Sequence, residues 1–135
     1  MTHMDRLRFA AVPINELLGL ELRASEPGAA TVAMRPVEST AQEYGVVHGG
    51  ILATLADTAA VYALHPYLAE GDRMTSIEFK VNFLGPVTPR GEVIATSSVV
   101  RRGRTVAVVR VDVRQAEQIV VTGLFTYIIL PAGSR

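Results

Sequence analysis

Residues 44–60 read YGVVHGGILATLADTAA and hold one carboxylate, Asp57, in a run of small and apolar residues. Burying an ionised carboxylate without partners is costly, so a position among apolar residues would ordinarily be alanine or leucine. Two interpretations follow. In the first, Asp57 has a structural role, in which it faces a polar region or accepts hydrogen bonds from backbone amides of a neighbouring loop. In the second, it is a general base or nucleophile in a pocket that holds little water.

The three residues His48, Gly49 and Gly50 precede this carboxylate at the start of a predicted helix. A helix N-terminus presents unpaired N–H groups, and glycine allows a ligand oxygen to approach them closely. The glycines therefore lie where an oxyanion would be stabilised, or else they form a plain tight turn. His48 has no credible metal partners, because the chain holds only two other histidines and no cysteine. We predict a positioning role for it, and no metal or cofactor.

The first half of the chain supplies one helix that would carry Asp57. Residues 13–18 predict a short helix that begins with proline and ends before Gly19. Residues 20–25 and 30–36 predict a hairpin, and residues 37–47 a loop. Residues 50–64 are rich in alanine and leucine and apolar on every side, which predicts a helix buried all round.

The second half predicts successive strands. In TSIEFKVNF, residues 77, 79, 81 and 83 are apolar and alternate with polar residues. A turn at 85–91 and strands at 92–102, 105–115 and 119–130 follow. Short connections between neighbouring strands predict an antiparallel meander. We expect an α+β fold in one domain, residues 1–135, with five or six strands wrapped around one long buried helix.

Composition limits the classes of partner. Basic and acidic residues number 13 each, so no charge excess predicts binding to nucleic acid or to an anionic membrane. The N-terminal residues do not resemble a signal peptide, and no apolar run is long enough to span a membrane. A cytoplasmic protein is expected. The low content of charged residues, 19%, favours an oligomer.

A family resemblance rests on several motifs in a fixed order. VVHGGILATLAD, preceded by Gly45, resembles the HGG segment of the hotdog-fold acyl-CoA thioesterases of the phenylacetic-acid-degradation (PaaI) type. The segment from Met74 to Val113 resembles that family's run of strands, including its F-L-x-P turn and a later G-R. The resemblance covers nearly the whole chain and implies a hotdog fold.

The same resemblance implies roles for individual residues. Asp57 matches the catalytic carboxylate, Gly49 the residue whose backbone N–H polarises the thioester carbonyl, and His48 the histidine that orients the site. Ser76 matches a position that holds the attacking water, and Thr75 is the alternative in the neighbouring register.

Gln42 is a departure from the family pattern. It lies six residues before the HGG histidine, where the family commonly has asparagine. Its amide offers the same hydrogen bonds from a side chain one methylene longer, although Glu43 beside it is a competing candidate.

Thioester hydrolysis needs few groups. The leaving thiolate, if cysteine is a fair model, has a conjugate acid of pKa about 8.5, so no strong general acid is required. One carboxylate and preorganised backbone donors suffice, whether the carboxylate activates water or attacks directly.

Gly49 and Asp57, however, are eight residues apart, about 12 Å along one helix at about 1.5 Å per residue. An antiparallel helix of a second protomer would bring them together, which predicts a homodimer with two shared sites. The resemblance implies that such dimers pair into tetramers.

Three arginines, Arg101, Arg102 and Arg104, surround Gly103 at a strand corner. Their guanidinium groups would suit the nucleotide phosphates of CoA, and the alternative is a solvated hairpin tip.

The sequence therefore predicts an acyl-CoA thioesterase that releases free acid and CoA, with Gly50 and Thr75 also contacting substrate. Either an aryl or an aliphatic acyl group is compatible with this prediction. The alternatives are a non-catalytic acyl-CoA binding module and a dehydratase or hydratase of the same fold.

Overall fold

A computed structural model describes residues 1–134. Its three helices lie in the first half of the chain, and two single-turn 3-10 segments at Glu38–Thr40 and His65–Tyr67 flank the longest of them. The helices are α1 (His3–Ala10), α2 (Pro13–Leu18) and α3 (Gly49–Leu64). Helix α2 ends, as predicted, at Gly19, whose φ of 63° is left-handed and suits glycine.

Six strands form one antiparallel sheet in the order β1-β2-β4-β5-β6-β3. They are β1 (Glu21–Glu26), β2 (Ala29–Met34), β3 (Arg73–Phe83), β4 (Val93–Arg102), β5 (Val106–Gln115) and β6 (Gln118–Leu130). The predicted hairpin and the predicted strands of the second half are all present. The predicted meander is right for β4, β5 and β6 and wrong for β3, which pairs with β6 and not with the next strand along the chain, β4. Strand β3 lies at one end of the sheet and pairs only with β6, which leaves its outer edge unpaired.

The core lies between α3 and one face of the sheet. Alternate residues of β5, such as Val109 and Val111, are fully buried there, as period-two patterning requires. Ser97 on β4 is the polar member of this layer, and its hydroxyl donates to the Ala59 carbonyl of α3 over 2.7 Å. No helix within residues 1–134 has the length and apolar character needed to cross a membrane.

Burial of the central helix α3 is one-sided. Residues such as Leu55, Ala59 and Ala63 are inaccessible to solvent. The opposite side, which includes Ile51, Asp57 and Val61, is only half-buried. The all-round apolar sequence predicted burial on every side, and the protomer leaves one side of this helix partly open.

Strand β3 departs from strict alternation. Ser76 pairs with Tyr127 and Glu78 with Thr126, so Ile77 is an extra residue that forms a bulge. The bulge places Ser76 on the helix-facing side together with Phe79, whereas simple alternation would put them on opposite faces. The predicted apolar face of β3 is also largely exposed in the protomer.

Helix α1 was not predicted. A capping box holds its start, in which Asp5 N–H donates to Thr2 Oγ1 and Thr2 N–H donates to the Asp5 carboxylate. Phe9 anchors it by packing against Tyr62 with ring centres 4.8 Å apart. The Thr-x-x-Asp spacing at Thr2 and Asp5 was the available signal.

Candidate active site

Asp57 lies on the partly open side of α3 and meets two hydroxyl groups. Tyr127 of β6 donates a short hydrogen bond to Asp57 Oδ1. Ser76 of β3 donates to the same oxygen over 3.3 Å. No donor within residues 1–134 reaches Oδ2. The carboxylate is thus held through one oxygen, and the other is left available for chemistry.

Tyr127 was missed by the sequence reasoning. Its ring is buried, and its Oη also lies 3.1 Å from the backbone oxygen of Asp57. Burial raises the pKa of its phenol well above the ordinary value, and the neighbouring Asp57 carboxylate raises that pKa further. The available signal was a tyrosine at an inward position of a core strand, because a buried phenol requires a hydrogen-bond partner.

The two glycines at the start of α3 differ in their hydrogen bonding. His48 is the N-cap of the helix, and its Nδ1 accepts from the Gly50 N–H over 2.9 Å. The Gly49 N–H has no acceptor within residues 1–134. Of the predicted donors, therefore, Gly49 is the one free to bind a substrate oxygen, and His48 fixes the turn that presents it.

The carboxylate and this free N–H are not neighbours within one protomer. Both lie on α3, with Gly49 at its first residue and Asp57 eight residues later, about 12 Å along the axis at about 1.5 Å per residue. A single carbonyl group is too small to contact both.

Two other predicted residues make no hydrogen bond to Asp57 within residues 1–134. The Gln42 side chain accepts a short bond from the Tyr44 N–H and so stabilises its own turn. Thr75 pairs with Ile128 on β6, and its side chain makes no hydrogen bond to the part of the chain that the structure describes. Of the two registers considered for the hydroxyl, Ser76 is the one that reaches the carboxylate.

The three arginines lie at the exposed β4–β5 hairpin tip, near the C-terminal end of α3. The Arg102 guanidinium lies over the Tyr67 ring, 4.8 Å from its centre. Arg101 and Arg104 are exposed and make no ion pair within residues 1–134. No group of three or more histidine, aspartate or glutamate side chains in that range could hold a metal ion.

Comparison with known proteins identifies the family. The model of the thioesterase superfamily matches residues 44–122, more than half of the chain. The chain belongs to the thioesterase superfamily. The matched segment contains the HGG turn, Asp57 and Ser76, so the family assignment covers most of the site described above.

Individual relatives agree with this assignment. The medium/long-chain acyl-CoA thioesterase YigI of Escherichia coli K12 is 32% identical, over 87% of this chain and 86% of the relative. A thioesterase from Haemophilus influenzae has a TM-score of 0.89 at 25% identity, covering 100% of this chain and 94% of that one. A mutant of the phenylacetic acid degradation protein PaaI from Thermus thermophilus has a TM-score of 0.81 at 27% identity, covering 86% and 97%.

These comparisons confirm the family resemblance and the hotdog fold that it implied. They also confirm that this thioesterase is a thioester hydrolase.

Proposed function

We propose that this thioesterase hydrolyses aliphatic acyl-CoA thioesters to a free acid and CoA, at sites shared between two protomers. The observation that carries the proposal is the half-buried Asp57 carboxylate, held through Oδ1 by Tyr127 and Ser76 with Oδ2 free. An acyl-CoA substrate agrees with the name of the E. coli relative, and its medium/long-chain description favours an aliphatic acyl group.

The free oxygen of Asp57 has one of two tasks. It takes a proton from water as the water oxygen attacks the thioester carbonyl carbon, or it attacks that carbon itself. In both routes the carbonyl oxygen becomes an oxyanion, which the Gly49 N–H stabilises. Collapse of the tetrahedral centre breaks the C–S bond and releases the thiolate of CoA. In the water route the proton held by Asp57 then passes to a product. In the direct route the acyl group remains on Asp57 as a mixed anhydride, and water hydrolyses it to the free acid and the regenerated carboxylate.

The oxyanion donor comes, on this proposal, from a second copy of the chain. The separation of about 12 Å within one helix, at about 1.5 Å per residue, prevents Gly49 and Asp57 of one protomer from sharing a carbonyl. If two α3 helices lie side by side and antiparallel, each Asp57 faces the partner's HGG turn. Two-fold symmetry then creates two identical sites.

The surface that would meet the second copy is the outer edge of β3 and the apolar side chains beside it. Ile77, Phe79 and Phe83 are 56%, 47% and 53% exposed in the protomer. A long, unpaired strand edge with exposed aromatic residues invites pairing with another strand. Strand β3 also carries Ser76, so pairing there would close the site against water. The predicted tetramer and the predicted cytoplasmic location stay predictions.

The arginines at the β4–β5 tip are the proposed contacts for the CoA nucleotide. Arg101, Arg102 and Arg104 place three positive charges at one exposed corner, and guanidinium groups bind phosphates well. The stacking of Arg102 on Tyr67 restrains one of them. Arginines so placed would attract the anionic end of the substrate while the thioester lies at α3.

A panel of acyl-CoA thioesters tests the function. We expect thiol release from medium- and long-chain acyl-CoA, and slower release from phenylacetyl-CoA. The same acyl group on pantetheine, which lacks the nucleotide, should show a higher KM. Asp57→Asn keeps the shape of the side chain but removes its charge, and should lower kcat by about 10²-fold to 10⁴-fold with folding intact.

The alternatives give different results in this panel. Tight CoA binding with no thiol release from any thioester would indicate a binding module. Double-bond hydration or dehydration without thiol release would indicate a hydratase or dehydratase. Full activity of Asp57→Asn would contradict the proposed site while leaving the substrate class intact.

A further inference from the structure

Tyr127 is the buried ionisable side chain that contacts the Asp57 carboxylate. Tyr127 is 1% exposed and lies on the core-facing side of β6. Its neighbours on that side, Phe125 and Ile129, are apolar, and phenylalanine would fill the same volume. A phenol hydroxyl placed in such a layer is unfavourable unless it is hydrogen-bonded. The hydroxyl of Tyr127 is hydrogen-bonded to Asp57, so a role for this side chain is sought in that contact.

The two hydrogen bonds to the Asp57 carboxylate indicate what this role is. Tyr127 and Ser76 both donate to Oδ1 of Asp57, and nothing within residues 1–134 donates to Oδ2. Two donors on one oxygen fix the rotation of the carboxylate about its Cβ–Cγ bond. They also restrict Oδ2 largely to orientations that face the open side of α3.

We propose that Tyr127 is a positioning residue, which orients the Asp57 carboxylate so that its Oδ2 meets the attacking water or the thioester carbon. The inference rests on the proposed function, because it assigns Asp57 the chemical role given above. Tyr127 itself is not proposed to touch the substrate, since its ring lies beneath Asp57 in the core.

The protonation state of Tyr127 is consistent with this role. Burial and the adjacent carboxylate raise the pKa of the phenol far above neutrality. A phenol that stays protonated is a permanent hydrogen-bond donor. Strand β6, which is paired on both sides, supplies this donor, whereas the second donor, Ser76, lies on the exposed edge strand β3.

The test is Tyr127→Phe, which removes one oxygen atom and retains the ring. We expect kcat toward a good acyl-CoA to fall about 10-fold to 100-fold, as for loss of a hydrogen bond to a charged group. KM should change by less than about twofold, because ground-state binding does not use Tyr127. Both values are measured well below the melting temperature and normalised to folded protein.

Tyr62→Phe is the matched control. Tyr62 is a partly buried tyrosine that packs against the same core as Tyr127, and its hydroxyl makes no hydrogen bond within residues 1–134. This control should keep wild-type kcat and KM. A kcat within twofold of wild type for Tyr127→Phe, or an equal loss in both variants, overturns the inference.

Asp57→Asn, assayed beside these variants, distinguishes failure of the positioning role of Tyr127 from failure of the proposed function. If Asp57→Asn is inactive and Tyr127→Phe is fully active, the positioning role fails and the proposed function stands. If Asp57→Asn is fully active, the role proposed for the carboxylate has failed, and the role of Tyr127 fails with it.

Discussion

At the scale of residues, the HGG turn shows how similar backbone groups acquire different tasks. The Gly50 N–H is occupied by the imidazole of His48, and the Gly49 N–H has no acceptor within residues 1–134. The histidine thereby rigidifies a turn whose first helical amide stays available. In the proposed mechanism this single free N–H receives the oxyanion, so removal of one hydrogen atom should be enough to disable the site.

Replacement of Gly49 by proline tests that idea, with alanine as its control. Proline suits the first helical position, and the extended ψ of 133° at His48 suits a residue that precedes proline. Either side chain would place a Cβ 3.1 Å from the tip of Phe83, which must shift slightly. Gly49→Pro should lower kcat about 10²-fold to 10³-fold relative to Gly49→Ala, which keeps the N–H. Equal activities of the two variants would remove this amide from the mechanism.

At the scale of elements, the pairing of β3 with β6 assembles the site, because one strand supplies Ser76 and the other Tyr127. Gly123 lies in the middle of this pair, opposite Val81. A Cβ at Gly123 would lie 2.6 Å from the Lys80 carbonyl oxygen and 2.8 Å from Val81 Cγ1. The backbone of a paired strand cannot move aside as the end of a flexible side chain can. The two strands would therefore have to separate locally.

Gly123→Ala should therefore lower the free energy of unfolding by about 2 kcal/mol. It should also lower kcat, since Ser76 and Tyr127 would no longer converge on Asp57. Gly85→Ala is the control, because a Cβ at Gly85 meets no atom within 4 Å; its free energy of unfolding should stay within about 0.5 kcal/mol of wild type. Urea denaturation measures both, and equal stability of the two variants would contradict the tight β3–β6 contact.

At the scale of the whole molecule, the proposed dimer makes a prediction about mixtures. Asp57→Asn homodimers lack both carboxylates, and Gly49→Pro homodimers lack both oxyanion donors. A heterodimer of the two variants contains one site with neither group and one site with both. Random reassociation should restore about a quarter of wild-type activity, since half of the dimers are mixed and each has one intact site of two.

Co-expression with two different affinity tags, followed by tandem purification of the mixed species, provides the measurement. The purified heterodimer should have about half the wild-type kcat per dimer. If it is as inactive as its parents, the carboxylate and the donor come from the same protomer. Sedimentation of an active single protomer would lead to the same conclusion.

Local signals were sufficient for the helix and for most strands. The apolar alanine- and leucine-rich run predicted α3, and alternation predicted β3 to β6, because both patterns report burial over a few neighbouring residues. The same segment marked Asp57 and the HGG turn, since a carboxylate in an apolar helix and a glycine pair at its start are unusual in chemical terms. These features can be recognised without knowing which distant residues of the chain lie beside them in the fold.

The contacts of Asp57 depended on the tertiary structure. Ser76 faces the carboxylate because a bulge at Ile77 shifts the register of β3 against β6, and Tyr127 meets it from 70 residues away. Strand register is decided by pairing across the sheet, and period-two patterning carries no record of an inserted residue. The sequence thus predicts which group reacts, and the folded sheet decides which groups hold it in place.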